Sequence, residues 1–173
     1  RVSDGYIAMQ TGPEIGVAST KAFSTQVSIL ALMALQLAEL KGTLSQSKLS
    51  EYITELEALP IKIEQLLKAE SYIQEIAETF QHSTNFLYLG RGYNFPVALE
   101  GALKLKEITY AHCEGMLSTE FKHGPLSAVS KGFPIIFSAG PNDVPLIISG
   151  INEVKVRGAR TITIAEEDAR LRA

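Results

Sequence analysis

The chain has 173 residues, 46% hydrophobic and 20% charged, enough for one sizeable core or for one domain with part of another. A net charge of −3, without any dense Lys/Arg cluster, argues against a nucleic-acid surface. The single cysteine, Cys113, excludes an internal disulfide and a zinc ribbon. It reads as a small buried hydrophobe and fits a reducing, cytoplasmic compartment.

Residues 1–20 lack helical period, and Thr11-Gly12-Pro13-Glu14-Ile15-Gly16 reads as a loop. No secretory leader is read at the start of the chain. Ser19 or Thr20 is placed to cap a helix running to about Lys41, with Gly42 at its C-terminal end. The uncharged run Ala22 to Ala38 is slightly short of the roughly 20 residues a membrane span needs. It also carries Ser24, Thr25, Gln26, Ser28 and Gln36, so a buried helix of a soluble protein is the expectation. Residues 42–50 are polar and read as a connection. Leu49, Ile53, Leu56, Ile63 and Leu67 then keep a helical spacing, which Pro60 is expected to kink or break. Ser71-Tyr72-Ile73-Gln74 fits a capping box opening a helix to His82.

The pattern changes after residue 84. Phe86-Leu87-Tyr88-Leu89, Pro134-Ile135-Ile136-Phe137 and Thr161-Ile162-Thr163-Ile164 are short apolar runs separated by helical patterns. Pro96 opens the first of those helices, which runs to about Ala111; Asp143 and Pro145 open the second, which Gly158 closes. Fully apolar strands alternating with helices predict a three-stranded parallel sheet covered on both faces. Cys113 to Pro125 shows no period and reads as a polar loop, while His82 and His112 read as helix-end residues.

The first of these helices carries the clearest chemical signal. Glu100, Lys104 and Glu107 fall at i, i+4 and i+7 and share one narrow stripe. Leu99, Leu103, Leu105, Ile108 and Tyr110 cover most of the remaining circumference. These proportions reverse those of a surface helix and predict a largely buried one that presents ionisable groups into a cleft. An acid beside an ammonium group can be tuned for proton transfer, although a structural ion pair satisfies the same pattern. Gly90-Arg91-Gly92 lies between a strand and a helix, where phosphate loops occur, but its spacing suits a tight turn better. His123 sits in the polar, Gly-rich loop and reads equally well as a functional group or a surface histidine. No histidine or cysteine spacing supports a metal site, and no nucleophile elbow or Walker loop is present.

Four blocks of the sequence resemble a known family. Leu89-Gly90-Arg91-Gly92, Ala98-Leu99-Glu100-Gly101-Ala102-Leu103-Lys104-Leu105-Lys106-Glu107 and Glu120-Phe121-Lys122-His123-Gly124-Pro125 resemble the second sugar-isomerase (SIS) domain of the glucosamine-6-phosphate synthase family. Residues 12–23, from Gly12-Pro13-Glu14 to Lys21-Ala22-Phe23, resemble the end of that family's first SIS domain. The resemblance implies an α/β fold, a three-layer SIS-type parallel sheet flanked by helices, truncated. It also implies boundaries: residues 1–42 as the end of one SIS domain, 43–70 as a helical connection, and 71–173 as a second SIS domain incomplete at its C-terminus.

Enzymes of this family convert fructose 6-phosphate and glutamine into glucosamine 6-phosphate and glutamate. The resemblance implies that Glu107 moves a proton between sugar carbons 1 and 2. Lys104 would stabilise the developing enolate-like charge, His123 would assist ring opening in the neighbouring subunit of a homodimer, and Val17, Ala18 and Ser19 would contact the sugar. The implied partners are the sugar phosphate and a glutaminase domain in the full-length chain, with no cofactor, metal, nucleic acid or membrane. The family's phosphate-gripping loops would lie upstream of Arg1 and its Schiff-base lysine in a C-terminal tail, so the fragment is expected to be inactive alone. The alternatives are another SIS enzyme, such as an isomerase or deglycase that uses no glutamine, and a non-catalytic sugar-phosphate sensor.

Overall fold

A computed structural model describes residues 2–171. The chain divides into two compact units, Arg1–Glu78 and Thr79–Ala173.

The first unit is helical. Residues 2–20 contain no regular element, and α1 (Lys21–Leu40), α2 (Gln46–Leu67) and α3 (Glu70–Glu78) follow. The expected cap at the start of α1 is not made by Ser19 or Thr20. The Glu14 carboxylate instead accepts the backbone N–H groups of Thr20 at 2.8 Å and Lys21 at 3.3 Å. A helix start leaves such donors unpaired, and a carboxylate there also meets the positive end of the helix dipole. Gly42 ends α1 with φ +62°, as its position predicts. In α2, the Ser45 side chain accepts the N–H of Lys48 at 3.3 Å.

Three expectations for this unit are corrected. Pro60 does not break α2, which continues to Leu67. Proline removes one helical hydrogen bond, and Leu56, Pro60 and Ile63 line a groove facing α1, so side-chain packing offsets the loss. Ser71 lies inside α3 rather than capping it, and the helix ends at Glu78 instead of His82. No residue of α1 is buried, so the expected buried helix is not seen; by length and composition alone α1 could cross a membrane.

The second unit is a layered α/β fold. Its elements are β1 (Asn85–Gly90), α4 (Asn94–Thr109), β2 (His112–Leu117), α5 (Ser118–Phe121), β3 (Pro134–Ser138), α6 (Val144–Lys155) and β4 (Arg160–Ile164). The sheet is parallel throughout, in the order β2-β1-β3-β4. Leu89 stands level with Met116 on one side and Phe137 on the other. Leu87, Leu89, Ile135 and Phe137 point to one face and pack with Ile147 and Val154 of α6. Tyr88 and Gly115 point to the opposite face, under α4. The result is helix, sheet and helix in three layers.

The fourth strand corrects the sequence reading. His112–Leu117 is an edge strand paired with β1, not a helix end followed by a loop. Its Glu114 and Gly115 break up the apolar run that marks β1 and β3; Cys113 is its one fully buried residue, and Met116 packs partly against the core. The chain runs from β1 to β2 on one side, then returns to β3 on the other. The carboxyl ends of β1 and β3 therefore flank a topological switch point.

Candidate active site

The site is built on α4. Pro96 sits in the first turn, and the helix ends where Tyr110 takes a left-handed φ of 61°. Only Ala98 and Ala102 are buried. Leu99 and Leu103 are 43% and 42% exposed, and Val97, Ile108 and Tyr110 are more open still. The expectation of a largely buried helix is thus overturned. The sheet takes the small residues of α4, and the large apolar ones lie elsewhere on its circumference.

The ionic stripe is present as the spacing predicts. The Lys104 ammonium lies 2.8 Å from Glu107 Oε2 and 3.4 Å from Glu100 Oε1. Residues three and four apart on one helix meet in this way. All three side chains are partly sheltered, with Lys104 18% and Glu107 27% exposed. Glu107 Oε2 is itself buried, and its short contact with Lys104 lacks the alignment of a full hydrogen bond. The Glu107 carboxylate, chiefly, and Glu100 beside it raise the proton affinity of Lys104 above the ordinary lysine value. Lys104 is therefore a firmly held positive charge at neutral pH. The pair combines a carboxylate able to accept a proton with a fixed cation able to stabilise a nearby anion.

The other predicted site residues stand apart from this pair in the chain. His123 is exposed on the turn after α5, its backbone N–H donating to the Glu120 carbonyl at 3.0 Å. Val17, Ala18 and Ser19 belong to the first unit, where Val17 is 89% exposed. Ser19 Oγ donates to Glu14 Oε2 at 2.8 Å. Glu14 is the residue that sequence reasoning missed. It organises this loop, and the backbone N–H of Thr20, followed by Ser19 Oγ, holds its carboxyl below the ordinary range. An acid five residues before a Ser-Thr helix start was the available signal.

The Gly90-Arg91-Gly92 segment is a tight turn. A Cβ at Gly90 would stand 2.1 Å from the Asn94 carbonyl oxygen, and Gly92 has φ +51°. At the switch point, Ser138 Oγ donates to Asn94 Oδ1 at 3.1 Å, and Arg91 approaches Asp143 at 3.9 Å. These groups satisfy one another and close the turn. No cluster of metal-ligating side chains occurs among the described residues.

Comparison with known proteins places this geometry in a family. The SIS domain family matches residues 79–170. A Chlorobaculum tepidum protein named glutamine–fructose-6-phosphate aminotransferase (isomerizing) is 48% identical over 161 residues, 92% of this chain and 26% of that protein. The Escherichia coli O157:H7 protein of the same name is 44% identical over 170 residues, 98% of this chain and 28% of that protein. The solved C-terminal domain of glucosamine-fructose-6-phosphate aminotransferase from Francisella tularensis superimposes with a TM-score of 0.89 at 40% identity, covering 94% of this chain and 46% of that one. The chain spans about a quarter of the length of the curated relatives it matches. A parallel sheet with the SIS layering, matched across more than half its length by that family, means that this chain belongs to the SIS domain family.

Proposed function

We propose that the chain works within the isomerase half of an enzyme that makes glucosamine 6-phosphate from fructose 6-phosphate and glutamine. Residues 1–42 form the end of a first SIS domain, 43–70 a helical connection and 71–173 a second SIS domain. The exposed apolar side of α1 then covers the rest of that first domain. Glu107 accepts a proton from sugar carbon 1 and returns it to carbon 2. Lys104 stabilises the enolate-like charge that develops between the two transfers. His123 assists ring opening in the neighbouring subunit of a homodimer, and Val17, Ala18 and Ser19 contact the sugar. A glutaminase domain of the same polypeptide supplies the nitrogen, in the cytoplasm. The 173 residues alone do not complete this reaction.

The observation that carries this reading is the half-buried Lys104–Glu107 pair at 2.8 Å, in a chain 44–48% identical to relatives bearing that enzyme's name. The test is to supply the complete polypeptide with fructose 6-phosphate, with and without glutamine. Glucosamine 6-phosphate formed only with glutamine supports the synthase. Aldose formation indifferent to glutamine indicates another SIS isomerase, and sugar-phosphate binding without turnover indicates a sensor; either overturns the proposal.

A further inference from the structure

The fully buried residues by which helix α4 packs on its sheet carry side chains no larger than a methyl. Ala98 and Ala102 are its buried residues, and Gly101 lies between them in sequence. A Cβ at Gly101 would stand 2.9 Å from Cε1 of Tyr88 on β1. A Cβ at Gly115 on β2 would stand 2.8 Å from Leu99 Cα and 2.9 Å from the Ala98 carbonyl oxygen. Carbon atoms in good contact sit about 3.5–4.0 Å apart. The two obstacles differ in kind. Tyr88 is a side chain, whereas Leu99 Cα and the Ala98 carbonyl are helix backbone and cannot rotate away.

We propose that Gly101 and Gly115 are positioning residues, which set the height of α4 above the sheet and so the place where the Lys104–Glu107 pair meets its substrate. Glu100 directly follows the Leu99 contact, and Lys104 and Glu107 follow within two turns. A helix of this length moves as a rod, so a methyl group at 115 displaces the pair with it. The inference rests on the reading of Glu107 as the proton-transferring base. Displacing a reacting group by about 1 Å can cost about 10²-fold in rate, even from a distant mutation. A purely structural glycine would instead lower stability and leave the turnover of folded protein unchanged.

The test uses the complete polypeptide carrying Gly115→Ala, Gly101→Ala, Gly101→Ala with Tyr88→Val, and Glu107→Gln. Isomerisation kcat, sugar KM, glutamine hydrolysis and the thermal midpoint are measured for each. Gly115→Ala is expected to lower isomerisation kcat by about 10- to 100-fold with KM and glutamine hydrolysis retained. Gly101→Ala acts in the same direction, and Tyr88→Val restores it by removing the ring that the new methyl strikes. Unchanged kcat in both glycine variants, or failure of Tyr88→Val to restore Gly101→Ala, overturns the proposal. Should Gly115→Ala not fold, the Gly101–Tyr88 pair decides. Full isomerisation by Glu107→Gln instead overturns the reading of the site itself.

Discussion

Replacing Glu107 by glutamine isolates the chemistry from the fold. Glutamine keeps the length and shape of the side chain and removes only the charge and the capacity to accept a proton. Lys104 keeps a second carboxylate, Glu100 Oε1 at 3.4 Å, so its ammonium is not left without a counter-charge. Glu107 lies on a partly exposed stripe rather than among the buried residues, so the substitution opens no cavity. The folded state should therefore persist, with an unchanged far-ultraviolet spectrum and denaturation midpoint. What is lost is the base. General-base removal costs about 10²–10⁴-fold, or about 2.7–5.5 kcal/mol of barrier. In the complete polypeptide, sugar isomerisation should fall by that factor while glutamine hydrolysis stays near its original rate. Glu107→Asp should give an intermediate loss, because the carboxylate is retained but drawn back by one methylene. Isomerisation within about tenfold of the parent rate in folded Glu107→Gln would refute the assignment, since loss of a general base typically costs at least about 100-fold.

Three further outcomes test the fold. Phe137 is 1% exposed at the centre of the sheet, so Phe137→Ala should cost about 3–5 kcal/mol in denaturant unfolding, while Ile164→Ala at the open edge should stay within about 0.5 kcal/mol. Ser45→Ala removes the side-chain acceptor for Lys48 N–H and should cost about 1 kcal/mol. Burial pushes the Tyr88 hydroxyl from its ordinary value of 10.0 up to about 12. Its neutral form therefore contributes stability that is complete below pH 10 and is lost as pH rises from there towards 12. Ultraviolet titration should show a tyrosine ionising near pH 12 that disappears in Tyr88→Phe.

The parts of this protein legible from its residues are those governed by near neighbours. Glu100, Lys104 and Glu107 meet because helical geometry brings residues three and four apart together, whatever the helix packs against. Gly42 ends α1, and β1 and β3 announce themselves as apolar runs because strands buried on both faces admit little else, while the partly buried edge strand β4 shows itself by its β-branched Thr-Ile alternation. Strand β2 was not legible. An edge strand has one neighbour, tolerates Glu114, and needs Gly115 for a reason that lies in α4.

The composition of α4 was also misread for a physical reason. A helical wheel gives the sizes around a helix but not which arc the sheet will take. Here close approach to the sheet selected Ala98, Gly101 and Ala102, and Leu99, Leu103 and Ile108 were left on the open arc. Local periodicity, then, was enough to establish the alternating helices and strands and the acid–amine stripe, because those follow from backbone geometry within a few residues. Strand order, the fourth strand and the depth of the stripe came only with packing, because each depends on which distant surface fits against which.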